Sequence, residues 1–138
     1  MAWDQLFRFM QLQRARYSSL AAELDLSPVQ ASVLKELEPG TPVAMHALAD
    51  ALACDASNVT GIVDRLEARG LLERRESTRD RRVRMLMVTD RGREVRASLL
   101  GRLRRPPEEI ASLSRADQRT LARILKRALA ARAATRVD

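Results

Sequence analysis

The helical periodicity of this chain gives way between Leu71 and Thr89 to a different texture, and that change limits the folds open to it. A short apolar start (Leu71, Leu72), a charged segment (Glu76-Ser77-Thr78-Arg79-Asp80-Arg81-Arg82) and the run Met85-Leu86-Met87-Val88 predict two strands joined as a hairpin. The connection is too long and too charged for a two-residue turn. Around it the alphabet is that of helices, with 21 Ala and 20 Leu against 9 Val and 3 Ile. Unbranched side chains lose little rotamer freedom on a helix, and β-branched ones lose more. Two Phe, one Trp and one Tyr leave little material for a β-sandwich or an aromatic-lined barrel.

Four helical patterns precede the hairpin. The first runs from about Asp4 to Leu24, with Leu6, Phe9, Met10, Tyr17, Leu20 and Leu24 roughly on one face. Ser27-Pro28-Val29-Gln30 reads as an N-cap, a proline at the first helical position and a capping-box partner. Its helix carries Val33, Leu34 and Leu37 and stops before Pro39-Gly40. The third, about Ala44 to Ala53, has no good capping side chain at its start. Asp55 caps the fourth, in which Val59, Ile62, Val63 and Leu66 follow the i, i+3, i+4, i+7 rule, and Gly70 ends it in the left-handed position. After the hairpin, a fifth helix starts near Thr89-Asp90 and uses Val95, Leu99, Leu100 and Leu103 until Pro106-Pro107 breaks it. Ser114 and Asp117 open the last, with the stripe Leu121, Ile124, Leu125, Ala128 and Leu129. The expected order is α-α-α-α-β-β-α-α.

One Cys and one His exclude an intrachain disulfide framework and a four-ligand zinc site. A histidine-dependent hydrolase would have to rest on His46, and no glycine-rich phosphate loop is present. An enzyme, a cofactor and a metal are therefore not expected. His46 reads as an exposed or DNA-facing residue of the third helix. Cys54 sits beside Asp55, whose charge disfavours a reactive thiolate. No stretch approaches the ~20 apolar residues of a membrane span. Met1-Ala2-Trp3-Asp4 lacks the basic and then apolar order of a signal peptide. A soluble cytoplasmic protein is the expectation.

The net charge is +7 with a pI near 11, from 23 Arg and 2 Lys. Such a balance points to nucleic acid or another polyanion, although a GC-rich genome also favours Arg and Ala. Residues 1–54 carry −2, residues 55–90 carry +1 and residues 91–138 carry +8. Most of the excess thus sits on the C-terminal helices, and net charge alone does not locate a DNA site.

Spacing does. The third and fourth helices are joined by Ala53-Cys54-Asp55, a helix-turn-helix length. Opposite the apolar stripe of the fourth helix lie Ser57, Asn58, Thr60, Gly61, Asp64 and Arg65. Small polar residues near the start of such a helix approach base edges, and Asn and Arg are bidentate readers of adenine and guanine. Gly61 costs about 1 kcal/mol of helix stability against Ala, and close approach to DNA would supply the reason. The hairpin tip holds Arg79, Arg81 and Arg82, and arginine suits a narrow minor groove. Asp80 fits there if it holds an arginine in place. The bland alternatives are a capped amphipathic surface helix and a solvated loop with weak ion pairs. Their adjacency favours a winged helix.

The run from Asp55 to Arg74 (DASNVTGIVDRLEARGLLER), with Asp80-Arg81-Arg82 and Val88-Thr89-Asp90-Arg91-Gly92, resembles the MarR family of bacterial regulators. The similarity extends to Leu26-Ser27-Pro28-Val29-Gln30 and to the late Leu113-Ser114 helix start. The resemblance implies a mainly α fold with a small β-hairpin wing, a winged helix-turn-helix with N- and C-terminal dimerisation helices. Residues 25–89 would form the DNA-binding lobe, and residues 1–24 and 90–138 the dimerisation helices. It also implies an Asp-x-Arg wing, here Asp80 and Arg82, in which the Asp orients a minor-groove Arg. Pro106-Pro107 ends the fifth helix sooner than the family pattern does, and the early cysteine of the peroxide-sensing branch is missing. The expected function is a homodimeric, sequence-specific transcriptional regulator, a repressor reading a pseudo-palindromic operator on double-stranded DNA. It would be released by a small aromatic or phenolic effector. Trp3, Phe7, Phe9 and Tyr17 all lie on the first helix, and Arg14 and Arg16 are placed to pair with a carboxylate. These aromatics equally suit a dimer core. A non-specific DNA-coating protein without effector response is the alternative.

Overall fold

A computed structural model describes residues 1–53 and 56–135, except the side chains of 56–57 and 132–135. The expected Asp55 cap and Cys54 lie outside the described residues. Among these residues the chain forms seven helices and three strands. They are α1 (Ala2–Ala22), α2 (Pro28–Glu36), β1 (Val43–Ala44), α3 (Met45–Leu52), α4 (Ala56–Ala68), β2 (Leu72–Glu76), β3 (Arg84–Val88), α5 (Asp90–Arg104), α6 (Glu108–Ala111) and α7 (Arg115–Thr135). No described helix is long and apolar enough to cross a membrane. Residues Met1–Arg105 form one compact unit and the chain from Pro106 a second.

The core of the first unit follows the sequence pattern closely. Val59, Val63 and Leu66 of α4 are fully buried, with Ile62 packed beside them. They meet Val33 and Leu34 of α2, Leu48 of α3, Leu72 and Leu86 of the sheet, and Leu99 of α5. No polar or charged residue is buried among the described residues. The Ser27 capping box forms as expected: Gln30 N–H donates to Ser27 Oγ at 3.2 Å, and Ser27 N–H to Gln30 Oε1 at 3.0 Å.

Two elements go beyond the sequence expectation. Strand β1 pairs with β3 (Val43 opposite Leu86, Ala44 opposite Met85), so the hairpin is a three-stranded antiparallel sheet in the order β1-β3-β2. Two residues carry no readable alternation. Helix α6 is a single turn after Pro106-Pro107, with Glu108 and Glu109 in its first turn, where the helix dipole favours them.

Three helix ends are closed by arginines from elsewhere in the chain. Arg16 donates to the carbonyls of Arg102 and Arg105 at the end of α5 (3.3 and 2.7 Å). Arg69 donates to Leu24 O and Asp25 O after α1, the first at 3.2 Å. Arg96 sends Nε to Leu34 O at 3.0 Å and Nη2 to Lys35 O and Glu38 at 3.1 Å each, at the end of α2. The last four carbonyls of a helix lack intrahelical donors, and a forked cation suits them in both geometry and charge. Three of the 23 arginines are therefore committed to structural roles.

In the second unit, Ser114 opens α7 as expected, accepting from Asp117 N–H at 3.1 Å. Ile124, Leu125 and Leu129 of its apolar stripe are exposed.

Candidate nucleic-acid interface

The interface begins with the turn between α3 and α4. Helix α3 starts without a side-chain cap, directly from β1, and ends with Ala53 in the left-handed conformation at φ 50°. An alanine there is disfavoured by its Cβ. His46 is exposed on α3. On α4, Asn58 and Thr60 are exposed in the first turn and a half, Gly61 is partly exposed, and Asp64 and Arg65 are exposed further along. Ser57 lies in the first turn, and its side chain is outside the described residues. An ideal Cβ built on Gly61 meets nothing within 4 Å. The intramolecular packing thus gives this helix no use for a glycine.

The wing connects Glu76 to Arg84, with β2 and β3 paired from Leu72 opposite Val88 to Glu76 opposite Arg84. Arg79, Asp80, Arg81 and Arg82 are all exposed at its tip. Asp80 Oδ1 accepts the backbone N–H of Arg82 at 2.9 Å, and Val83 N–H donates to Asp80 O at 3.0 Å. Ser77 Oγ accepts from Arg79 N–H at 3.2 Å. Such side-chain-to-backbone bonds hold a turn without a ladder. Asp80 therefore acts on the Arg82 backbone, with no described ion pair between the two side chains. The guanidinium is left to the solvent.

Where the wing meets α4, Arg74 of β2 bonds both Asp64 and Glu67. Where it meets α5, Thr89 caps the helix, accepting from Gly92 N–H at 3.0 Å and donating to Gly70 O at 2.6 Å. Gly70 ends α4 at φ 71°, the left-handed conformation glycine adopts freely. The roles of Arg74 and Arg96 were not read from the sequence. For Arg74 a signal existed: two carboxylates three residues apart on a helix face, with an arginine just past the turn.

A groove of about 750 Å³ lies between α1, α2 and α3, lined by residues that include Met10, Arg14, Tyr17, Val29, Ser32 and Leu52. Tyr17 Oη and Ser32 Oγ are 3.1 Å apart, and Lys35 Nζ sits 5.7 Å from the Tyr17 ring centroid. Arg16 lies outside this groove, its guanidinium taken up by the end of α5. Among the described residues no group of three metal-ligating side chains occurs.

The MarR family profile matches residues 26–83, which span α2 through the wing loop. Over that segment, less than half of its length, the chain is similar to the MarR family. The MdtR repressor of Bacillus subtilis is 32% identical over 97 residues, 64% of this chain and 63% of that protein. Wild-type apo MarR of E. coli shares the fold at a TM-score of 0.80 and 22% identity, over 91% of this chain and 95% of that one. A mutant S. aureus MepR bound to an oligodeoxyribonucleotide does so at 0.67 and 18% identity, over 95% and 98%. The chain spans less than two thirds of the length of the curated relatives it matches.

Proposed function

We propose that this chain is a MarR-family regulator, a cytoplasmic homodimeric transcriptional repressor that reads a pseudo-palindromic operator with α4 and the wing. The carrying observation is the open, polar face of α4 at Asn58, Gly61 and Arg65, beside a hairpin whose tip arginines face solvent. Asn58 and Arg65 are the candidate base readers, with Ser57 and Thr60 beside them. Arg79, Arg81 and Arg82 are the candidate groove contacts, and Asp80 shapes the loop that presents them. The oligonucleotide-bound MepR and the MdtR repressor support the same reading. Exposed Leu6, Phe7 and Met10 on α1, and Ile124 and Leu129 on α7, support a dimer built from the first, fifth and last helices. Two-fold symmetry then calls for half-sites about one DNA turn apart.

The test is selection of duplexes from a random pool, followed by titration on the selected and scrambled sequences. A dimer in light scattering, a palindromic consensus and at least about a thousandfold preference are expected. Equal affinity for both sequences would favour a DNA-coating protein, which the +8 charge of residues 91–138 suits. The α1–α2–α3 groove, with apolar walls, Tyr17 and one arginine, suits an aromatic anion as effector. Such a ligand releases DNA only if it favours a spacing of the reading heads that the operator does not. A panel of aromatic acids in the same titration is expected to contain a ligand that weakens operator binding. Unchanged affinity across the panel would remove the effector.

Gly61→Ala separates stability from reading. With open space at the Cβ, alanine is expected to raise helix stability by about 0.5–1 kcal/mol. If DNA approaches that face closely, operator affinity falls in the same variant. A stabilised protein that binds as well as wild type would take Gly61 out of the interface.

A further inference from the structure

Asp64 and Glu67 are awkward residues for a helix that approaches DNA. The charged residues of α4 are Asp64, Arg65 and Glu67, a net −1. At 100° per residue Asp64 shares the exposed face of Gly61 and Arg65, and its side chain is 59% exposed. A bare carboxylate there would face phosphates.

Arg74 prevents that. It is the third residue of β2, and its side chain is only 22% exposed. Nη2 donates to Asp64 Oδ1 at 2.5 Å while Nη1 donates to Glu67 Oε2. Partial burial works against the guanidinium charge, but the two carboxylates outweigh it and hold its pKa above the ordinary value. Neither carboxylate has another ion-pair partner among the described residues. With Arg74 included, the charge of the helix face sums to zero, and the root of the wing is fastened to α4.

We infer that Arg74 is a positioning residue for DNA binding: it acts through Asp64 and Glu67, cancelling their charge and drawing them toward the wing root, and it is not itself a DNA ligand. The inference rests on the DNA-binding reading above. With both terminal nitrogens committed to carboxylates, Arg74 is poorly placed to bond a phosphate as well, so its contribution is the removal of a repulsion. Repulsion of this kind is screened by salt.

The test uses the full chain and a duplex selected by the wild-type protein, with affinity measured across a salt series. Arg74→Gln is expected to bind about ten- to a hundredfold more weakly at about 0.1 M salt, the deficit shrinking as salt rises. Adding Asp64→Asn and Glu67→Gln to that variant is expected to bring affinity back to within about threefold of wild type. Asp64→Asn with Glu67→Gln, Arg74 intact, is expected to bind at least as tightly as wild type. This double variant keeps the test open should Arg74→Gln fold poorly. A triple variant as weak as Arg74→Gln, or a double variant that loses about tenfold, would overturn the inference while leaving the DNA reading in place. A wild-type protein that selects no duplex would overturn both.

Discussion

The Gly92→Ala protein is expected to melt far below wild type, or to lack a cooperative thermal transition. An ideal Cβ at Gly92 would lie 2.0 Å from Leu71 O and 2.9 Å from both Leu71 C and Val88 Cγ1. Two of those three atoms are backbone, which cannot rotate away as a flexible side chain would. Relief requires α5 to move from the end of α4, and that movement strains the junction. Thr89 N–H on Leu71 O (3.2 Å), Thr89 Oγ1 on Gly70 O and Gly92 N–H on Thr89 Oγ1 all sit within it. Overpacking against a fixed backbone with loss of a helix cap puts the penalty at about 3 kcal/mol or more, a fall in Tm of roughly 10 °C. Circular dichroism melts of Gly92→Ala and Gly61→Ala make the contrast, since the second glycine has open space where the first has a carbonyl. Similar Tm values for Gly92→Ala and wild type would refute the close approach.

Arg82→Ala is expected to weaken operator binding by about ten- to a hundredfold per reading head while leaving Tm within about 1 °C. A charge-assisted contact is worth about 1.5–3 kcal/mol, and an exposed tip residue adds little to any core. Asp80→Ala is expected to lose less. It removes the acceptor for Arg82 N–H, so the tip loop loosens while the guanidinium remains. Fluorescence anisotropy on operator DNA ranks the two, and wild-type affinity in both would remove the wing from the interface.

Helix α4 was legible because its pattern is long and periodic. Val59, Ile62, Val63 and Leu66 repeat over two turns, and all of them pack into the core. Ser27 with Gln30, Thr89 with Gly92 and Ser114 with Asp117 were legible as caps because their chemistry is local. Strand β1 was not, because its partner lies more than forty residues away at Met85 and Leu86 and two residues carry no alternation. The arginines were hidden for a related reason. Arg16 reads on α1 as a free cation fit for an effector carboxylate, and only the folded chain brings the last carbonyls of α5 against it. Local chemistry is written in neighbouring letters, whereas a long-range hydrogen bond depends on how the helices pack.

The arginine-closed helix ends divide the chain's cations into two groups that would respond differently to drift in codon usage. Arg96 spreads three bonds from Nε and Nη2 over two carbonyls and a carboxylate. A lysine has one nitrogen, which cannot span that fork. Arg119, Arg123 and Arg127 are exposed on α7, so lysine keeps what they offer to solvent. Homologues from AT-rich genomes would then carry lysine at positions of the second kind and keep arginine at Arg69 and Arg96, which each bond through two nitrogens.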